Sequence, residues 1–189
     1  MIAKNEHLQI RKMLPTDSDF RLFLGWMSDP ENKKYWDGFS VQYTYEMVET
    51  HYWEQLEEKV QPCILEYDGA PIGYCQFSQQ TAEEYEVPQA DFDAFVRGAS
   101  RVYAIDIFLG EPDFRDRGLG TQFMCLLLDT QFANYRADAV LIDPKTNNPR
   151  AIRCYEKAGF QKLFLVPQRE TQDGIAYDSQ IMGIRRPNI

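Results

Sequence analysis

Apolar positions along the chain recur with two periods, and their alternation outlines the elements. His7–Met13 alternates as a strand does. Phe20, Phe23, Leu24 and Met27 follow helical spacing, so a helix is predicted over roughly Asp19–Ser28, capped by Thr16 or Asp17 and ended by Asp29-Pro30. Tyr35-Trp36-Asp37-Gly38-Phe39 reads as an aromatic loop. Thr44 is placed to cap a second helix to about Lys59, with Met47, Val48, His51 and Tyr52 on one side. Val60–Tyr67 and Pro71–Ser78, joined by Asp68-Gly69-Ala70, form a predicted hairpin. Arg101–Leu109 is a further strand, Thr121–Phe132 a helix, and Ala139–Ile142 a short strand. Asn148 and Pro149 open a helix that Gly159 closes, and Phe160–Val166 and Ile175–Ile184 finish as strands.

This order predicts a mixed α/β (α+β) fold, with a mainly antiparallel sheet and a parallel strand pair near its middle. At 189 residues the length suits a single domain. Residues 80–100 break the pattern. They read as an acidic, irregular stretch in which Glu83, Glu84, Glu86, Asp91 and Asp93 alternate with Tyr85, Phe92 and Phe95, and a loop of that length is usually functional or mobile.

Charge and cysteine content narrow the chemistry. The net charge of −9 excludes the basic face that nucleic-acid binding needs and favours a cationic ligand, although acidity also serves solubility. No apolar run reaches membrane-spanning length, and the N-terminus lacks a signal-peptide core. The scattered Cys63, Cys75, Cys125 and Cys154 form no C-x-x-C pair, so no metal or disulfide framework is expected and a reducing cytoplasm is. His7 and His51 accompany no serine or cysteine motif, so a hydrolase triad is unsupported.

The junction Arg115-Asp-Arg117-Gly118-Leu119-Gly120-Thr121 lies between a strand and a helix. Two glycines there let the backbone turn tightly and leave N–H groups bare at the positive end of a helix dipole, which suits an anion. It lacks the Gly-Lys-Ser/Thr of a P-loop, and Phe123 stands at the third glycine position of a dinucleotide fingerprint. Asn148 and Tyr155, two helical turns apart, share a face. Asp106 interrupts an apolar strand, where an unpaired carboxylate is unfavourable; alternation puts it with Ala104 and Phe108, opposite Tyr103, Ile105, Ile107 and Leu109.

The Arg115-x-x-Gly118-x-Gly120 turn, followed by Asn148-Pro-Arg-Ala-Ile-Arg-Cys-Tyr155-Glu-Lys-Ala-Gly-Phe160, resembles the GCN5-related N-acetyltransferase (GNAT) superfamily. With Ala104-Ile-Asp106-Ile-Phe-Leu-Gly-Glu-Pro112 and Asp143-Pro144, the likeness is to its aminoglycoside 6′-N-acetyltransferases, and it extends to Gly73-Tyr74 and the Trp36 loop. The resemblance implies a GNAT fold with a splayed parallel pair, acetyl-CoA as co-substrate, no metal, and a cationic aminoglycoside as acceptor for a monomer or homodimer.

The resemblance also implies roles. The amides of Gly118, Leu119, Gly120 and Thr121 would cradle the diphosphate, with Arg115 and Arg117 adding charge. Ile107, Phe108 and Leu109 on the strand and Asn148 and Ala151 on the helix would hold the pantetheine arm and polarise the thioester. Asp106 would accept the amine's proton and Tyr155 would protonate the leaving sulfur. Trp36, Tyr74, Glu84, Asp106 and Asp143 would contact the acceptor, with Tyr85 a further stacking candidate. Each has a plainer reading: Asn148 as a helix cap, Tyr155, Trp36 and Tyr74 as core aromatics, Asp106 as a salt-bridged acid, Asp143, Glu111 and Glu84 as solvated ones. A polyamine, a siderophore intermediate or a protein N-terminus is the alternative acceptor, and a non-catalytic coenzyme A sensor is the alternative function.

Overall fold

The computed structural model describes residues 1–187. Eight strands form one sheet in the order β1-β2-β3-β4-β5-β6-β8-β7. They are β1 (Ala3–Lys4), β2 (Leu8–Lys12), β3 (Gln61–Tyr67), β4 (Ala70–Gln79), β5 (Val102–Leu109), β6 (Ala139–Ile142), β7 (Gln161–Gln172) and β8 (Ile175–Arg185). Every neighbouring pair is antiparallel except β5–β6, so the expected class and the parallel pair both hold.

Helices cover both faces. On one, α1 (Asp17–Trp26) and α3 (Tyr45–Glu57) bury Phe20, Phe23, Val48 and Tyr52 against Ile64 and Tyr74. On the other, α5 (Leu119–Ala133) and α6 (Pro149–Lys157) bury Phe123, Leu127 and Tyr155 against Ile105, Cys75 and Met182. Capping sets the helix starts as the residue types dictate: Thr16, Thr44 and Asn148 each accept a backbone N–H from the first turn of their helix.

Three details differ from the sequence pattern. Pro30 does not simply end a helix; with Asp29 as cap it opens a short one, α2 (Pro30–Lys33). Met47 and His51 are exposed, because the buried face of α3 is Val48, Tyr52 and Gln55. Residues 80–100 are not irregular throughout: they contain α4 (Gln89–Val96), which packs Phe92 and Val96, with Tyr85, against Val102, Leu141 and Ile181. The acids there are exposed on the outer side of this segment, and none of them lines the cleft described below. Among the described residues no helix is long and apolar enough to cross a membrane.

Candidate active site

The two parallel strands pair only over Val102–Ala104 and Ala139–Leu141, and beyond that they part. A cleft of about 590 Å3 occupies the opening. Asp106, Ile107, Phe108 and Leu109 line one wall; Ile142–Lys145 and the α6 residues Asn148, Ala151 and Tyr155 line the other.

At one end of the cleft lies the glycine turn. Gly118 has φ +77°, a left-handed conformation that glycine adopts without strain, and it stands as N-cap of α5 without any side-chain cap. The first bond back into the turn is Gln122 N–H to Gly118 O at 3.2 Å, so the N–H groups of Leu119, Gly120 and Thr121 lack intrahelical acceptors. A Cβ built on Gly120 would meet only Cys154 Sγ, at 3.4 Å. Uncapped amides in an open concavity fit a diphosphate. The Leu119 side chain packs in the core, so only its amide is available to the turn.

Of the two arginines of the turn, Arg115 lines the cleft and Arg117 does not. Arg115 is tied down by Asp29 Oδ2 at 2.5 Å, Asn32 Oδ1 at 3.0 Å and Gly110 O at 2.8 Å, so its charge is spent on α2 and the end of β5. Arg117 is exposed, lies over the Phe114 ring and does not line the cleft. Besides the paired Arg115 and Lys145, the cations that line it are Arg150, Arg153 and Lys157. Their i, i+3, i+7 spacing on α6 was the available signal.

Toward the other end stands Asp106, on the face that alternation predicted. Its Oδ2 accepts a hydrogen bond from Gln76 Nε2 at 2.8 Å. Gln76 Oε1 in turn accepts from Tyr74 Oη at 3.0 Å and Gln55 Nε2 at 2.5 Å, which fixes the amide with its N–H toward the acid. Burial pushes the Asp106 pKa up to about 7, and the charge of Asp143 adds to the rise. Tyr155 is buried, and burial raises its phenol well above the ordinary tyrosine value, so it stays protonated.

Tyr74 does not face a ligand: it is 1% exposed and packs edge-on against Phe23, so its part is to hold Gln76. Trp36 does line the cleft, edge-on to Phe108. Glu84 does not, because its carboxylate caps Thr81 N–H at 2.8 Å on the surface. Tyr85 is buried, and Glu111 accepts the Trp26 indole N–H at 2.7 Å.

Asp143 lines the cleft but is already paired, with Arg169 Nε at 3.1 Å. Beside it Lys145, 5% exposed, binds Glu170 at 2.8 Å and donates to Tyr35 O at 3.0 Å. The apolar pattern hid Arg169 and Glu170, since it ended the strand at Val166, whereas β7 runs on to Gln172. The tip of the β7–β8 hairpin then reaches the aromatic loop. The Asp173 carboxylate accepts N–H groups of Phe39 at 2.8 Å and Ser40 at 2.7 Å, and Gln172 donates to Trp36 O. His51, for which no role was expected, also lines the cleft.

A sheet parted at its parallel pair, with an anion cradle at one end and a carboxylate wall at the other, defines an acyl-transfer cleft. The chain belongs to the acetyltransferase (GNAT) family, whose model matches residues 16–166. It is similar to aminoglycoside N(6′)-acetyltransferase type 1 of Klebsiella pneumoniae, 30% identical over 93% of this chain and 84% of that one, and equally to that of Serratia marcescens. Among solved structures it resembles AAC(6′)-Ib in complex with coenzyme A and kanamycin, at 25% identity and a TM-score of 0.74 over 95% of each chain. A spermidine N-acetyltransferase from Vibrio cholerae, 17% identical with a TM-score of 0.74 over 96% of each chain, shares the fold.

Proposed function

We propose that this chain transfers the acetyl group of acetyl-CoA to the 6′-amine of aminoglycosides and so confers resistance to them. The observation that carries the reading is the coincidence of the uncapped α5 turn with the Asp106 wall in one cleft, in a chain 30% identical to aminoglycoside acetyltransferases over 93% of its length.

The thioester supplies the acetyl group when bound; the rest is the work of this chain. The amides of Gly118–Thr121 hold the diphosphate, and Arg150, Arg153 and Lys157 add positive charge along the same wall. Residues 105–109, which have no strand partner toward β6, offer main-chain groups to the carbonyl and the pantetheine arm. An acceptor ammonium with a pKa near 10 must lose a proton to attack, and Asp106 takes it. With its own pKa at about 7, Asp106 is about half ionised at neutral pH, and its anion is a better base than an ordinary carboxylate. Tyr155 remains protonated beside the departing sulfur and donates a hydrogen bond as the C–S bond breaks. Trp36 and the exposed acids Asp37 and Glu31 face the acceptor.

Release of free thiol from acetyl-CoA tests the reading with kanamycin, spermidine and a peptide N-terminus as competing acceptors. Turnover with kanamycin and loss of about tenfold or more in Tyr155→Phe, with coenzyme A affinity intact, is the expected result. Preference for spermidine would reassign the acceptor, and donor binding without turnover on any amine would leave a sensor.

A further inference from the structure

The parallel register does more than open the cleft. Ala104 is the partner of Leu141, and two residues further along each strand stand Asp106 and Asp143, on the same face and both lining the cleft where the strands part. Burial raises both carboxyls, and the Asp143 charge raises Asp106 further. Their other neighbours are unequal. Asp106 has a neutral donor, the Gln76 amide at 2.8 Å. Asp143 has a cation, Arg169, with Nε at 3.1 Å.

That cation is held firmly. The Arg169 guanidinium lies 4.7 Å from the Tyr85 ring centroid, its Nη1 donates to Glu86 O at 3.1 Å, and its side chain is 10% exposed. The backbone is shaped to deliver it. Between the pairs Val166–Ser179 and Glu170–Tyr177, β7 uses Pro167, Gln168 and Arg169 where β8 uses Asp178 alone. Gln168 takes φ +52° and its N–H bonds Asp178 Oδ1 at 2.9 Å, which marks a formed bulge. The match to the family model covers residues 16–166, and this bulge follows it in the chain.

We propose that Arg169 is a positioning residue for catalysis: by holding Asp143 as the anion of the pair, it leaves Asp106 as the carboxylate that takes up the acceptor's proton. The inference rests on the acetyl-transfer reading of the cleft. The remaining charged and titratable groups around the pair are Glu170 and Lys145, bound to each other at 2.8 Å, and the hydroxyls of Tyr85 and Tyr155. Both tyrosines are pushed up by burial and stay neutral; the Glu170 charge raises both acids, Lys145 lowers Asp143, and Arg169, bonded to Asp143 alone of the two, is the larger cationic influence on the pair.

The test is the pH dependence of kcat/KM with kanamycin, paired with carbon-13 carboxylate titration of the free protein. In Arg169→Gln the pair loses its cation and holds its proton longer: the acidic limb should move up by about one pH unit, a tenfold change in proton affinity. Arg169→Lys should keep the limb within about 0.3 units of wild type, because it restores the charge. Asp143→Asn should move the limb the opposite way, downward, since the neighbouring anion is gone; this arm stands should Arg169→Gln not fold. A purely structural Arg169 would lower rate or melting temperature with the limb unmoved, and that outcome, or Asp143→Asn moving it upward, overturns the proposal. The carboxylate titration needs no acceptor, so failure to turn over kanamycin would count against the substrate reading and leave this one to be decided by the titration.

Discussion

The two halves of the cleft are built in opposite ways. The donor end is local and made largely of backbone: one turn, Arg115–Thr121, and the first turns of α5 and α6, all within forty-odd residues of chain. The acceptor end is assembled from side chains of distant segments: Trp36 from a loop, Gln76 from β4, Asp106 from β5, Asp143 after β6, and Arg169 and Glu170 from a bulged strand. A main-chain cradle depends on conformation and tolerates varied neighbours. A side-chain wall depends on each residue, and its charge is set by pairings such as Asp143 with Arg169. Selection for a new acceptor can therefore act on one end without disturbing the other.

Substitutions that strike one half alone break the comparison most clearly. The largest effect is expected from Asp106→Asn: kcat falls by about 10²–10⁴-fold with coenzyme A affinity within twofold, read by stopped-flow turnover and calorimetry. In the wild type, kcat/KM should climb with pH through about 7 as Asp106 ionises. The same group affects stability with a definite sign. The folded protein keeps the proton that the unfolded chain releases near 3.8, so the Asp106 contribution to stability is lost as pH rises from about 4 to 7. Asp106→Asn should lessen that decline in urea midpoints, leaving the share of Asp143, whose carboxyl burial also raises, and a variant with the decline unchanged would contradict the assignment.

Next in size is Gly120→Leu, which puts a side chain where the cradle is open. Coenzyme A affinity should drop by about tenfold or more, with the melting temperature changed by only a few degrees, because Cys154 Sγ is the sole nearby atom. Equal loss of donor affinity and fold would show that Gly120 is a packing glycine. The smallest effect is expected from Asp173→Ala. Loss of its two bonds to the Phe39 and Ser40 amides should raise the acceptor KM a few-fold and lower the melting temperature by about 2–4 °C, with donor affinity unchanged.

The same division explains what could be read from the residues alone. The glycine turn, the Asn148 cap and the alternation that faces Asp106 away from Ile105 and Ile107 are local features with local signatures, and the structure has them. Arg115 lines the cleft beside the turn, but only the fold brings Asp29 and Asn32 to pair with it. Tyr74 misled because an aromatic on a strand gives no hint of which layer covers it. Glu84 misled because acidity looked like a lining, whereas Thr81 three residues earlier shows the capping motif. Arg169 left no trace, since a bulge breaks the alternation from which strands are inferred.

The Asp173 clasp joins residues 133 and 134 positions apart in the chain. It sits at the tip of the β7–β8 hairpin, so the aromatic loop is held from the far edge of the sheet. Long-range closures of this kind are slow steps in folding. The glycine turn, made from one local stretch, needs no such closure, so the two ends of the cleft depend on chain contacts of very different span.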